Sequence, residues 1–513
     1  MGSSEPAKRA EPQQNSSLGA SGKPNSGRPN FVLIMTDQQR RDSLGIYGSS
    51  YACTPNLDRL GREGACFDQC YVANPICMPS RASIFTGRYP HNHRTWTNGV
   101  LQPTELRTLA HQLKEQGYST TYVGKAHFNP FESQDQTPES AAYWRSAGAD
   151  HQWHGPYWGF DHAELTIGHT LPLAHYGDWF QQKGGSPEML KLRPTVPGDP
   201  DELTGVTTLP EELHDSTFVG ERAAAAIREA AGKEEPFFLV ASFPDPHHPF
   251  NPPAETAERF AASGVPGPVG TSDDLASRPE HYRRHLEGAW SRAGGRAPTH
   301  PGGQSDAVTK ERIRLTHAMV SLIDSAVGEI LGALTATGCV ENTYVMFISD
   351  HGELLGDHGL WFKGPFFYHG LLTVPCLLRG PGVPAGLRSG ALVSLLDLYP
   401  TICELLGVAV PERVDGISQA AVARGEEHTL RSRCLIEYRN GFGRETDRAS
   451  LALVTDRYTF VARQRGDLEL TDREVDPRER RNVAYEASYL NVVHELRTEL
   501  HDKLPKQTTV SPP

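Results

Sequence analysis

The sequence predicts an α/β fold, a large mixed and mostly parallel sheet sandwiched by helices, with a smaller C-terminal α+β domain. Three observations predict it. Four continuous apolar runs recur along the chain, each apolar on both faces as a central parallel strand has to be. Helical patterns separate these runs, and alternating strand and helix places helices on both faces of the sheet. Beyond about Pro411 the pattern changes to short strands in succession followed by one helix.

The elements follow in order. Residues 1–29 are rich in Ser, Gly, Pro, Asn and Gln and hold no apolar segment of the signal-peptide kind. A disordered tail is expected there, and with it a cytoplasmic location. The first strand covers residues 31–35 and ends in Thr36-Asp37. A helical pattern over 106–116, stopped by Gly117, precedes a strand over 120–123 that runs into Gly124-Lys125. A second helix over 218–231, stopped by Gly232, precedes a strand over 237–241 that leads to Pro244-Asp245-Pro246-His247-His248. The last run, 343–348, leads into Asp350-His351-Gly352.

Two stretches read as insertions. Residues 143–180 hold Trp144, Trp153, Trp158 and Trp179, four of the seven tryptophans, and suit either a substrate wall or a local core. Residues 262–306, rich in Gly, Pro, Ser and Arg, read as irregular. The main α/β domain is therefore expected over 30–410. The C-terminal domain, 411–513, is expected to carry strands near 435–438, 450–455, 458–462 and 468–470 and a helix near 489–500.

Composition removes several function classes. The chain has 513 residues, of which 38% are apolar and 22% charged, as in an ordinary soluble enzyme. No apolar run approaches the ~18 residues of a spanning helix, so no membrane is expected. The net charge of −12, from 50 basic and 62 acidic residues, argues against a nucleic-acid or anionic-membrane binder. Eight cysteines make no metal knuckle or disulfide ladder, and all except Cys77 read as small buried hydrophobes.

The four strands end on Asp37, Lys125, His247 and Asp350, residue types that bind metals, anions or protons. Open α/β sheets build their sites at the carboxyl ends of strands, so these four endings converge on one pocket. The sharpest local signal is Cys77-Met78-Pro79-Ser80-Arg81. Pro79 suits a first helical position, which puts Cys77 just before a helix N-terminus, where free amides favour a thiolate or a bound oxyanion. The spacing from Cys77 to Arg81 excludes the phosphatase cradle in which five residues separate the two.

Cys77-Met78-Pro79-Ser80-Arg81, followed by Thr86-Gly87-Arg88, resembles the C-x-P-S-R signature of the type I sulfatases of the alkaline phosphatase superfamily. The rest of the chain agrees in order: Asp37-Gln38, Gly124-Lys125-Ala126-His127, His247-His248-Pro249, Ser349-Asp350-His351-Gly352-Glu353, Lys363-Gly364 and the closing 476–482 segment. The resemblance covers roughly residues 30–500 and implies an alkaline phosphatase-like fold.

The resemblance implies that a formylglycine-generating enzyme converts Cys77 to formylglycine (3-oxoalanine). One hydroxyl of its hydrate attacks a small sulfate ester, and the other lets the covalent ester collapse. By the same resemblance Asp37, Gln38, Asp350 and His351, with residue 77, hold one divalent metal. Mostly oxygen ligands point to Ca²⁺, with Mn²⁺ or Mg²⁺ left open by the one imidazole. Arg81 would hold the modified residue, Lys125, His247 and Lys363 the ester oxygens, and Lys363 or His247 would protonate the leaving group. His127 would bond the formylglycine and act as base.

Two departures matter. Many sulfatases carry two aspartates after the first strand, and here the second is Gln38. The phosphonate monoester and phosphodiester hydrolases, sister enzymes with the same constellation, tolerate a non-carboxylate there and are the alternative reading. A catalytically silent metal-binding homologue is the third. Where sulfatases often have an acid after Tyr368, this chain has His369, which leaves the leaving-group side open.

Overall fold

The computed structural model describes Met1 and residues 27–133, 137–199, 202–286, 305–439 and 449–503. Most of the expected 1–29 tail and residues 287–304 of the second insertion lie outside the described residues. In chain order the strands are β1 (Asn30–Thr36), β2 (Ala65–Tyr71), β3 (Ser119–Gly124), β4 (His162–Leu165), β5 (Arg193–Pro194), β6 (Gly205–Val206), β7 (Phe237–Ser242), β8 (Thr343–Ser349), β9 (Cys376–Arg379) and β10 (Leu387–Ser394). Four more follow: β11 (Cys434–Tyr438), β12 (Ser450–Val454), β13 (Tyr458–Arg463) and β14 (Leu468–Asp472).

Eight of these form one sheet in the order β10-β2-β9-β8-β1-β7-β3-β4. Only β9 runs against the others, so the sheet is mixed and mostly parallel. The four strands legible as apolar runs, β8, β1, β7 and β3, are adjacent at its centre. Burial on both faces is why they read as continuous apolar runs. Phe31, Leu33 and Met35 of β1 enter the core on one face, while Val32 and Ile34 enter the core on the other. Burying a side chain of this size fully contributes about 1.5–3 kcal/mol.

Helices cover both faces. Asp306–Ala336 packs on Asp215–Ala230 over the second face, so closely that a Cβ at Gly220 would lie 2.8 Å from the Ala326 Cβ. Among the described residues this 31-residue helix is the one long and apolar enough to cross a membrane by length and composition. Most of its apolar window is buried in this fold, so it is a core helix. The expected helix over 106–116 is shorter, Leu109–Glu115, because Thr108 caps it by accepting the His111 N–H.

The 143–180 stretch is core. Trp144 and Phe160 are buried in the same cluster as β1 and β3, with Trp153, Tyr157 and Trp158 packed against it. Of the second insertion, the described part contains the helix Glu280–Leu286 and is not wholly irregular. The C-terminal strands form an antiparallel meander in the order β11-β12-β13-β14, with the helix Leu490–Lys503 against it. Ile436, Ala452 and Val461 of this sheet also enter the main core. All eight cysteines are free; Cys53 is exposed and Cys339 half-buried, against the expectation that each is buried.

Candidate active site

The site is assembled from the carboxyl ends of the central strands. Beyond β1, the Asp37 N–H donates to the Asp245 carbonyl (3.2 Å) and the Gln38 N–H to Asp350 Oδ1 (3.1 Å), with Gln38 in the left-handed region at φ 64°. β3 ends at Gly124, at φ 102°, where an added Cβ would meet the Ser242 oxygen at 1.9 Å. Only glycine lets the chain turn there and hand over Lys125, whose N–H bonds the same oxygen at 2.9 Å.

Cys77 is reached through the helix Cys77–Thr86, whose ten residues are all buried. The helix begins at Cys77 itself, with Ile76 as N-cap and Pro79 third, two residues earlier than the sequence suggested. The first N–H groups of a helix have no intrahelical partner, so proline is tolerated anywhere in that turn.

The Cys77 Sγ lies 2.8 Å from Lys363 Nζ, 3.1 Å from His351 Nε2 and 3.8 Å from Asp37 Oδ1, and His127 hydrogen-bonds it. Burial and the Asp37 carboxylate oppose its ionisation, yet Lys363, His351 and His127 hold the thiol well below its usual range. Burial equally opposes the charge on Asp37, but Lys125, His247, Arg81 and Lys363 around it keep the carboxyl well below the usual carboxylate range. Burial, and then Asp37, push the Asp350 carboxyl up.

Arg81 is fully buried. Its guanidinium donates to Asp350 Oδ2 (2.7 Å), Asp37 Oδ2 (3.1 Å), the Lys125 carbonyl (2.7 Å) and Ser242 Oγ (3.1 Å). It therefore locks two acids and two strand ends together. Lys125 Nζ pairs with Asp37 Oδ2 at 2.8 Å. Lys363 Nζ also donates to Gln38 Oε1 at 2.7 Å, while the Gln38 amide nitrogen donates to the Glu353 carboxylate. An aspartate at 38 would set two carboxylates against each other, which is the local reason for an amide here.

Two histidines have their tautomers set. Nδ1 of His351 donates to the Gly352 carbonyl (2.8 Å) and Nδ1 of His247 to the His248 carbonyl (2.6 Å), leaving Nε2 of each as a lone pair when neutral. Burial, then His248, then Lys363 hold His247 well below its usual pKa, so it is neutral at pH 7. His248 stacks on it at 4.0 Å and meets the Gln38 amide at 3.2 Å, which places it as a neighbour of the site. His369 bonds the Tyr71 hydroxyl at 2.7 Å.

The donor set fits a divalent cation. Ligand atoms of Asp37, Cys77, Asp350 and His351 lie within 4.8 Å of one another, all buried, with two carboxylates beside a lone-pair imidazole nitrogen. The Gln38 amide oxygen adjoins them through Lys363, and oxygen donors of this kind suit a hard cation.

Sequence reasoning passed over three supports. Glu353 holds the Gln38 amide, and Glu139 holds the turn at His127. Asp245, gripped by His169 and by Ser216 Oγ (3.1 Å), anchors the loop carrying His247. Glu353 and Asp245 lay inside segments already singled out, without a role given to them; Glu139 is a single acid in a loop with no local signature.

The family model described as Sulfatase matches residues 29–408. This chain belongs to the sulfatase family. A second family model, N-sulphoglucosamine sulphohydrolase, C-terminal, matches residues 356–506. The sulfatase is 30% identical to "Uncharacterized sulfatase YidJ" of Escherichia coli (strain K12), over 93% of this chain and 86% of that one. It is 28% identical to an arylsulfatase of Clostridium perfringens (strain 13 / Type A), over 92% and 93% of the two chains. Among solved structures it superimposes on the phosphonate monoester hydrolase of Agrobacterium radiobacter with a TM-score of 0.78 and 25% identity, covering 93% and 95% of the two chains. As a sulfatase it is a sulfuric ester hydrolase with an alkaline phosphatase-like architecture.

Proposed function

We propose that this sulfatase hydrolyses a small sulfate ester through a formylglycine made from Cys77, with one divalent metal, Ca²⁺ first, held by Asp37, Gln38, Asp350, His351 and residue 77. The observation that supports this reading most is the meeting of Lys363, His351 and His127 on one buried Cys77 atom. Formylglycine supplies a geminal diol as nucleophile and as the means of releasing sulfate, and the cation supplies charge that favours the ionised hydroxyl and draws on the ester oxygens.

The chain's own residues do the rest. Arg81 fixes the separation of Asp37 and Asp350, so the acidic donors are preorganised before any ligand arrives. Lys125 and the Nε2 of His247 face the ester oxygens. Burial opposes the charge on Lys363, but Cys77 and Asp37 keep it an ammonium, and so a proton donor for the leaving oxygen. Burial holds His127 below its usual pKa, which suits a base that takes a proton from the group at position 77.

A second reading, hydrolysis of a phosphonate monoester or phosphodiester, is favoured by Gln38 and by the likeness to the phosphonate monoester hydrolase. The test has two parts. Mass spectrometry of the Cys77 peptide, from protein made with a formylglycine-generating enzyme, is expected to show formylglycine; unmodified cysteine beside a converted control sulfatase overturns the mechanism. Turnover of 4-nitrophenyl sulfate and of a matched 4-nitrophenyl phosphonate ester is then compared, and a faster phosphonate moves the conclusion to the second reading.

A further inference from the structure

His127 differs from the other site histidines in how its ring is held. His351 and His247 each anchor Nδ1 on a carbonyl oxygen. The Nδ1 of His127 is buried and has no hydrogen-bond partner among the described residues, and its ring otherwise meets only the edge of Phe131, at 6.5 Å between centroids. Nothing on the ring beyond the bond to Cys77 therefore sets its direction. The backbone has to set it, and that backbone is unusual: His127 sits in the left-handed region at φ 54°. For a side chain of this size such a conformation costs on the order of 1–3 kcal/mol and persists only where its surroundings over-determine it.

What over-determines it is a single carboxylate. The Phe128 N–H donates to both oxygens of Glu139 (3.0 and 3.1 Å) and the Asn129 N–H to Oε1 (2.9 Å), so successive amides of the turn close on one carboxyl group. The Tyr157 hydroxyl also donates to Oε1, and the Asn129 side-chain amide donates to that hydroxyl at 2.8 Å, which ties the clamp to the aromatic stretch. Glu139 is 5% exposed, and among the described residues no lysine or arginine hydrogen-bonds it. Its partners are backbone amides and a phenol, donors whose directions are fixed.

We infer that Glu139 is a positioning residue for the hydrolysis: it clamps the left-handed turn and thereby aims the His127 ring at the group carried at position 77. The inference rests on the role proposed above for His127 and goes beyond it by naming what holds that ring. Gln at 139 keeps the shape but offers one carbonyl oxygen, and its amide hydrogens then face a turn whose own hydrogens point inward. The turn is loosened while the fold around it stays.

The test is a double-mutant cycle on the matured enzyme, with kcat for 4-nitrophenyl sulfate expressed per formylglycine-containing site. Glu139→Gln is expected to lower kcat by about tenfold to a hundredfold, the loss typical of a misaimed proton-transfer group, with KM within about threefold. In a His127→Ala background the same change is expected to alter kcat less than about twofold, because the group it aims is gone. Tyr157→Phe, which removes one donor to the clamp, gives a smaller loss of the same pattern and carries the test if Glu139→Gln does not fold. Equal losses from Glu139→Gln with and without His127 overturn the inference, since a purely structural role acts in both backgrounds. A His127→Ala enzyme with full kcat overturns instead the role given to His127 itself.

Discussion

Replacing Arg81 separates its two tasks, charge and geometry. In the wild type the guanidinium is fully buried and makes two charge-assisted bonds, to Asp350 at 2.7 Å and Asp37 at 3.1 Å, with bonds to the Lys125 and Ala126 carbonyls and Ser242. Arg81→Met removes them all. Asp37 keeps Lys125 at 2.8 Å, but the nearest histidine nitrogen to Asp350 is His351 Nε2 at 3.7 Å, so the loss falls on Asp350. Leaving a buried charge without its partner costs about 3–5 kcal/mol. Arg81→Lys keeps the charge but cannot fork, so it loses one charge-assisted bond, about 1.5–3 kcal/mol. The assay is urea unfolding followed by tryptophan fluorescence in chelator, comparing midpoints at equal slope. The order wild type, Lys, Met is expected. A Met variant that unfolds with the wild type, or a Lys variant no better than Met, would refute the view that Arg81 bridges the two acids.

Other outcomes follow from the same geometry. Gln38→Asp sets a second carboxylate beside Glu353, a repulsion of about 4 kcal/mol at 4 Å and an effective dielectric of 20; the unfolding midpoint should fall in chelator and recover in Ca²⁺, and equal behaviour in both would show that position 38 does not sense the cation. Lys363→Gln should lower kcat about 10²–10⁴-fold for esters of poorly acidic alcohols and much less for 4-nitrophenyl sulfate, whose leaving group needs little protonation. Burial first, then Arg88 and His91, hold His93 down at about 3. An unfolded histidine gains its proton near pH 6.5, so this contribution is complete above that pH and is lost as the pH falls toward 3. His93→Gln should flatten the stability–pH slope between about pH 6 and 4 by about 1.4 kcal/mol per unit.

The legible part of the fold was its centre. β8, β1, β7 and β3 are buried on both faces, so composition alone marks them. β2 went unread because Asp68 and Gln69 interrupt its apolar pattern where it nears the sheet edge, and β4 because four residues, His162–Leu165, carry too little period to detect. In the site, the strand-end residues announced themselves by position and motif. The tryptophan stretch did not declare its purpose, since aromatic residues look alike whether they line a pocket or, as here, fill a core. Arg81 was found by its motif, but its bridge between Asp37 and Asp350 was not legible, because spacing along a helix says which turn a side chain leaves and not which of several acids it reaches. Glu139 acts through the backbone amides of a turn and Asp245 through contacts with distant segments, and neither kind of contact leaves a residue pattern to read.

The burial of the whole Cys77–Thr86 helix has a consequence in time. A substrate needs only the tip of residue 77, but a catalyst that recognises the pentapeptide Cys77–Arg81 has to grip side chains that here are all inside the protein. If Cys77 is converted to formylglycine as proposed, folding and maturation compete for the same segment. A chain that closes first keeps its thiol under Lys363 and His351 for as long as it stays folded, and on the proposed mechanism such a chain stays without its nucleophile.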